Sequence, residues 1–229
     1  NTDIAVSKDA NVDFFTLPSK KIDHSMLDEI FKHLHIDIDD VDKIAVTGGK
    51  SDSLESIYKN VEVIKINETN AIGCGAIEIY NTHKPFVVIS AGTGTACIHH
   101  QNGEFNYIGG IAIGGGTLQG FGNLVLNSSS IDEITKKATF GDRKNIDLLI
   151  GDVVNDIGVL NPSVTASNFA KLKKKDDVSE NDIAAALLNM IGEVIGTIAY
   201  LNASLCGINK VHFIGRVSTN KYIKNAINE

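Results

Sequence analysis

Apolar positions in the first part of the chain switch between a period of two and a period of three to four. TDIAVSKDANVDFFTLP (2–18) reads as two strands joined by a polar turn at 7–11. In HSMLDEIFKHL (24–34) the apolar residues Met26, Leu27, Ile30, Phe31 and Leu34 recur at helical spacing. VDKIAVTGG (41–49) is a short buried strand ending in glycines. SDSLESIYKN (51–60) reads as a helix capped by Ser51, with Leu54, Glu55 and Ile57 where a capped first turn needs them. VEVIKI (61–66) is a strand, TNAIGCGAIEIY (69–80) a helix and PFVVISAG (85–92) a strand. Strand and helix alternating in this way predict parallel crossover units in an α/β sheet, and the opening hairpin makes that sheet mixed.

Past Gly94 the pattern changes. TACIHH (95–100) and EFNYIG (104–109) flank Asn102-Gly103, a dipeptide that suits two-residue hairpin turns because both positions tolerate positive φ. GGGTLQGFGNLVL (114–126) opens a helix after three glycines, and the stretch onward to residue 182 reads as helices and loops. Within it KLKKKDDVSEND (171–182) is a charged, solvated segment from which no chemistry is expected. A long helix over 181–207 places Ile183, Leu187, Ile191, Val194, Ile198, Leu201 and Leu205 on one buried stripe. KVHFIG (210–215) is a last strand, and TNKYIKNAINE (219–229) starts a further helix. Asn1-Thr2 leading into Ile4 and Val6 echoes Gly94-Thr95 leading into Cys97 and Ile98. Two turn-and-hairpin units of one type suggest a two-lobed fold, with an N-terminal lobe over 1–89 and a C-terminal lobe over 90–229.

Composition narrows the class without naming it. A chain of 229 residues, 43% hydrophobic, buries a sizeable core. A net charge of −7 argues against a general nucleic-acid or anionic-membrane binder. Cys74, Cys97 and Cys206 are odd in number, widely spaced and without a CxxC pair, which favours packed thiols in a reducing, cytoplasmic setting over disulfides or zinc. No charged stretch followed by an apolar run opens the chain, so no secretion signal is expected, and the lack of an initiator Met points to a natural N-terminus beyond Asn1. The most membrane-like run, 183–205, carries Glu193 at its middle with Asn189 and Asn202 nearby. A carboxylate at that depth of a bilayer is costly, so a buried soluble helix is the expectation. His99-His100 read as a polar hairpin edge rather than as metal ligands, since no third ligand lies near them in sequence.

Candidate chemistry gathers where strands run into glycine. Gly92, Thr93, Gly94 and Thr95 stand at a strand reversal, where consecutive N–H groups can form an anion-binding nest and two hydroxyls can add donors. Gly114, Gly115, Gly116 and Thr117 precede a helix carrying Gln119, Gly120 and Gly122. A ligand can approach bare amides there, at the positive end of the helix dipole. A tight turn in one case and a flexible lead-in in the other are the bland alternatives, and each would need its own glycine excess. No GxxxxGK[ST] occurs, Gly92-Thr93-Gly94 lacks the third glycine and the helix of a dinucleotide fingerprint, and protein-kinase signatures are absent. Glu68 follows VEVIKI at the carboxyl end of a strand, the edge of an α/β sheet where substrates sit. A carboxylate there either accepts the proton of an attacking hydroxyl or simply complements the dipole of the helix it starts.

Taken in order, these motifs resemble those of the type II pantothenate kinases, members of the actin, sugar-kinase and Hsp70-like ATPase superfamily. The likeness is carried by NT (1–2), TGG (47–49), NETNAIGCG (67–75), SAGTGTA (90–96) and YIGGIAIGGGTLQGFG (107–122). FGDRKNIDL (140–148), GEVIG (192–196) and FIG (213–215) complete it. The resemblance implies an α/β, two-lobed actin-like (ribonuclease H-like) fold with mixed central sheets. It implies ATP-dependent phosphorylation of the primary hydroxyl of pantothenate, the first step toward coenzyme A. It further implies Mg²⁺ beside the ATP, with no metal ligands assigned, and a homodimer built through the 181–207 helix.

Residue by residue, Glu68 matches the family's general base. Thr2, Gly92, Thr93, Gly94, Thr95, Gly115, Gly116, Thr117, Gln119 and Gly215 match positions around the nucleotide. Gly114, Tyr107 and Arg143 match positions on the substrate side, although the family carries an arginine where this chain has Tyr107. A tyrosine is not a bidentate cation. Two further readings therefore stay open: a sugar-type small-molecule kinase on the same fold, and a non-catalytic sensor of nucleotide or acyl-coenzyme A. The family's aspartate-glycine loop before Asn1 and its closing helix after Glu229 are not in the sequence, so both ends are expected to be incomplete.

Overall fold

A computed structural model describes residues 2–9, 11–18, 20, 22–48, 51–154, 161–172 and 178–229. Asn1, Gly49 and the middle of the charged 171–182 segment lie outside the described residues. The chain divides into two compact units, Asn1–Ala71 and Ile72–Glu229.

In the first unit, β1 (Thr2–Lys8) and β2 (Asn11–Leu17) form the antiparallel hairpin read from the sequence, but as a two-stranded sheet of their own and not as the part of a larger mixed sheet that was expected. Helix α1 (His24–Leu34) is capped by Asp23, whose carboxylate accepts the Met26 amide at 3.1 Å, and it stops where His35 turns left-handed. A second sheet has the order β3-β5-β4, from β3 (Lys43–Thr47), β4 (Ile57–Tyr58) and β5 (Val61–Ile66). Leu27 of α1 packs with Leu54, Tyr58 and Val63 as the core of this unit.

Two expectations are corrected here. The segment 51–60 is not a capped helix but a single 3₁₀ turn, Ser51–Ser53, followed by β4. Lys59 and Asn60 both take positive φ and fold β4 back on β5 in a two-residue turn. Burial of Leu54 and Tyr58, with the Tyr58 hydroxyl donating to Asp28 Oδ1 at 2.7 Å, outweighs the helical start signal. Nor do the alternating elements build one parallel sheet. β3 and β5 are parallel, but β4, not a helix, lies between them in the chain, and the next strand belongs to another sheet.

Helix α2 (Glu68–Tyr80) begins in the first unit and ends in the second. The second unit's main sheet, ordered β11-β6-β7-β8, uses β6 (Phe86–Ala91), β7 (Thr95–Gln101), β8 (Glu104–Ile111) and β11 (Val211–Ile214). β6, the strand that contains residue 89, lies wholly in this unit. It runs parallel to β11 and antiparallel to β7, so the sheet is mixed. Both faces are covered, which explains the unbroken apolar run of β6. Val87, Ile89 and Ala91 face the large core, and Phe86 and Val88 pack with Ala76 of α2. Asn102 and Gly103, both at positive φ, form the hairpin turn as read.

α3 (Gly115–Leu126) and α4 (Ile131–Ala138) follow, then the short pair β9 (Leu148–Leu149) and β10 (Thr165–Ser167), with α5 (Ile150–Val153) between them. α6 (Glu180–Leu205) is the central helix, and α7 (Arg216–Thr219) and α8 (Lys221–Asn228) end the chain.

The buried row of α6 is Leu187, Ile191, Ile195, Ala199 and Ala203, and this corrects the expected stripe. Val194 and Ile198 are only half-buried, while Leu201 and Leu205 are 49% and 86% exposed. Close packing against α8, where Gly192 meets Ala226 and Ile223, favours small residues over large ones on the inward side. By length and composition α6 could cross a membrane, yet 56% of its most apolar window is buried within the unit, as in a core helix. Glu193 is tolerated midway because Thr165 and Asn168 donate to its two oxygens.

Candidate active site

Three chain reversals, far apart in sequence, meet at the carboxyl ends of β6 and β11. The first is residues 92–95, closed by the Gly92 amide donating to Gly94 O at 2.9 Å. The second, leading into α3, packs directly on it: Gly115 N donates to Gly92 O at 2.7 Å and Gly116 N to Thr93 O at 2.9 Å. A Cβ on Gly114 would lie 2.7 Å from Thr93 O and 2.8 Å from Gly92 O, so no larger residue fits between the turns. The third is Gly215, at φ +91°, whose Cβ would fall 2.4 Å from Ala91 O. Val217, two residues on, comes within 3.2 Å of where a Gly115 side chain would begin.

The donors around this cluster differ from those read in the sequence. The amides of Gly115 and Gly116 are not bare, because they hold the neighbouring turn in shape. Thr95 is buried and donates its hydroxyl to Ile113 O at 2.8 Å, and Thr117 donates to Ala112 O at 3.2 Å. Thr93 stands exposed at the tip. Among the described residues its amide, its hydroxyl and the Gly94 amide have no hydrogen-bond partner. Those three donors are left over by a frame in which the Gly115 and Gly116 amides and the Thr95 and Thr117 hydroxyls are already used, and unpaired donors on successive residues suit an anion nest.

Glu68 is the first residue of α2, which Asn67 caps by accepting the Thr69 amide at 2.9 Å. Its carboxyl carbon lies 3.8 Å from where a Gly48 side chain would begin, so the acid and the glycine turn after β3 adjoin at the carboxyl ends of two parallel strands. The carboxylate is exposed and, among the described residues, unpartnered. Thr2 opens β1, half-buried opposite Leu17.

Gln119 is exposed on α3. Tyr107 is 62% exposed on β8, next to a bulge that leaves Ile108 unpaired, and its hydroxyl lies 2.9 Å from where a Gly110 side chain would begin. Arg143, the arginine of FGDR, is drawn into a buried network. It donates to Thr165 Oγ1 at 2.8 Å and Ser163 O at 2.9 Å, and lies 3.7 Å from Asp147 Oδ2. Asp147 is fully buried, and burial raises its carboxyl above the usual carboxylate range, partly offset by the Phe169 amide it accepts and by Arg143. Only an acid inside the apolar run NIDLLI signals this network in the sequence.

Two bland readings are also corrected. His100 is not a polar edge: it is 4% exposed and sits between Phe86 and Phe105. Cys74 is exposed rather than packed, whereas Cys97 is buried and its thiol is pushed up to about 11 by desolvation. No group of three His, Cys, Asp or Glu side chains able to hold a metal gathers among the described residues.

Residues 75–228 match the family model described as Fumble. A type II pantothenate kinase of Bacillus cereus (strain G9842) is 30% identical over 189 residues, covering 79% of this chain and 68% of that protein. One of Bacillus anthracis is 29% identical over 197 residues, covering 82% and 71%. Among solved structures, component A of (R)-2-hydroxyglutaryl-CoA dehydratase from Acidaminococcus fermentans shares the fold, with a TM-score of 0.53 at 17% identity, over 88% of this chain and 71% of that one.

Proposed function

The chain belongs to the Fumble family, and on that premise we propose that it transfers the terminal phosphoryl group of ATP to pantothenate. The product, 4′-phosphopantothenate, enters coenzyme A synthesis. Besides the family, the reading is carried by the meeting of three glycine reversals around the free donors of Thr93 and Gly94.

Phosphoryl transfer asks a protein for positioning and charge stabilisation more than for covalent work. The Thr93 and Gly94 amides and the Thr93 hydroxyl take the phosphate oxygens of ATP. Gly92, Gly114, Gly115, Gly116, Thr95 and Thr117 hold that turn in shape, and Gly215 keeps the neighbouring reversal close to it; Gln119 and Thr2 are the further nucleotide-binding residues of this reading. Glu68 accepts the proton of the primary hydroxyl of pantothenate as its oxygen bonds to phosphorus and ADP leaves. No group of three or more His, Cys, Asp or Glu side chains gathers among the described residues, while magnesium carried on ATP needs only one or two carboxylates besides the phosphates, so no metal ligand is assigned and no step is routed through the metal.

Tyr107 favours a second reading. An exposed, neutral phenol lacks the charge and the paired donors with which an arginine holds a carboxylate, and it can both donate to and accept from the hydroxyls of a polyol substrate. We further propose a cytoplasmic homodimer, in keeping with three free cysteines and with Tyr200, Leu201 and Leu205 exposed on α6. The test of the chemistry is pantothenate-dependent ADP release in the Glu68→Gln protein. A fall of about 10²–10⁴-fold is expected on loss of a general base, and unchanged release removes Glu68 from that role.

A further inference from the structure

Rings seat helix α2 on the sheet of the second unit. At Gly73 a Cβ would lie 2.0 Å from Cδ1 and 2.4 Å from Cγ of Phe105, so that ring rests against bare helix backbone. From Phe105 on β8, ring contacts run to His100 on β7 at 5.0 Å and on to Phe86 on β6 at 4.8 Å. They continue to His212 on β11 at 5.1 Å and finish on Tyr80, in the last turn of α2, at 4.0 Å. The Tyr80 hydroxyl donates to Phe213 O at 2.5 Å. One ring from each of the four strands, in sheet order, thus makes a ladder whose two ends grip the same helix.

We propose that this ladder positions Glu68, with Phe105 and Tyr80 as its end clamps; the inference rests on the reading of Glu68 as the base. The carboxylate has no hydrogen-bond partner of its own among the described residues. Its place is therefore set by the helix it begins. Gly73 is five residues on, about 7.5 Å along the axis, so any slide or tilt of α2 at Phe105 is passed straight to the acid. The ladder also buries a polar atom that a purely aliphatic contact would avoid, since His212 Nε2 is buried and, among the described residues, without a hydrogen-bond partner. Flat rings with few rotamers trade that penalty for a fixed seat. Reacting groups tolerate about 0.5 Å of error, and a misplacement of about 1 Å can lower a rate about 10²-fold.

The test uses the intact enzyme with ATP and pantothenate. In Gly73→Ala the new methyl must displace ring or helix, and kcat is expected to fall about 100-fold while the KM for ATP stays within about twofold. Adding Phe105→Leu, which empties the space the methyl needs, is expected to recover at least about tenfold of the lost kcat. Tyr80→Phe keeps the ring, removes only the hydrogen bond, and lowers kcat by less with KM unchanged. If Gly73→Ala does not fold, Tyr80→Phe alone decides. Wild-type kcat in both variants, or kcat and KM for ATP shifting together, overturns the positioning role. Glu68→Gln run in parallel separates the two ideas. Full activity there sinks the base and the ladder's role with it, whereas an inactive Glu68→Gln beside unaffected ladder variants sinks the ladder's role alone.

Discussion

The glycine reversals and Glu68 are held in opposite ways. At the reversals nearly every polar group is committed: Gly115 and Gly116 amides to the facing turn, Thr95 and Thr117 hydroxyls to carbonyls, with backbone atoms packed so closely that Gly114 and Gly215 admit no side chain. Glu68 is exposed, and no side-chain bond among the described residues fixes it. One region spends its chemistry on shape and leaves three donors over. The other keeps its chemistry free and borrows its shape from a helix. Substitutions in the frame of the first should damage folding, substitutions of its three free donors should damage nucleotide affinity, and substitutions at Glu68 should damage turnover alone.

The largest expected effect is on turnover. Glu68→Gln should lose about 10²–10⁴-fold in kcat while its urea unfolding midpoint stays at the wild-type value; a falling midpoint would mean that the acid is structural after all. Next, Gly215→Ala should destabilise by about 3 kcal/mol, because it joins positive-φ strain to a 2.4 Å overlap with the Ala91 carbonyl. Urea unfolding checks this, and wild-type stability would show that the reversal can open.

The two threonines of the first turn sharpen the contrast further. Thr93→Val should leave stability unchanged and raise the KM for ATP about tenfold, the value of one hydrogen bond to a charged group. Thr95→Val should instead cost about 1–2 kcal/mol of stability by orphaning the Ile113 carbonyl. Interchanged results would put the phosphate on the other side of the turn.

The smallest effect is on pH dependence. Burial, helped by Lys210, lowers the pKa of His212 from 6.5. The unfolded chain therefore binds the proton more readily, so the contribution of His212 is complete above about 6.5 and is lost as pH falls toward its folded value, with a slope of at most about 1.4 kcal/mol per pH unit. Midpoints measured between pH 7 and 5 should fall less steeply in His212→Phe than in wild type.

What the sequence discloses follows the same division. Positions where the local pattern is unopposed were legible: Asn102-Gly103 at its hairpin, the alternating β1 and the turn that returns it to β2, the glycines at strand ends. Positions decided by competition were not. Ser51 starts a helix pattern that loses to the burial of Leu54 and Tyr58, and a two-residue turn at Lys59-Asn60 lacks the glycine that would have announced it. On α6 the eye takes Leu201 and Leu205 for core, but close helix packing buries Ala199 and Ala203 in their stead. At the candidate site, glycine counts located the turns, yet no spacing rule could tell that Thr93 is free while Thr95 is spent. That distinction depends on the Ile113 carbonyl, which only the folded chain brings to Thr95.

The most direct test offers the enzyme, with ATP, an equimolar mixture of pantothenate and hexoses and weighs the products by mass spectrometry. Pantothenate alone is expected to gain one phosphoryl group, in step with the ADP formed. A phosphorylated hexose with pantothenate untouched, or ADP formed with no acceptor modified, would contradict that expectation.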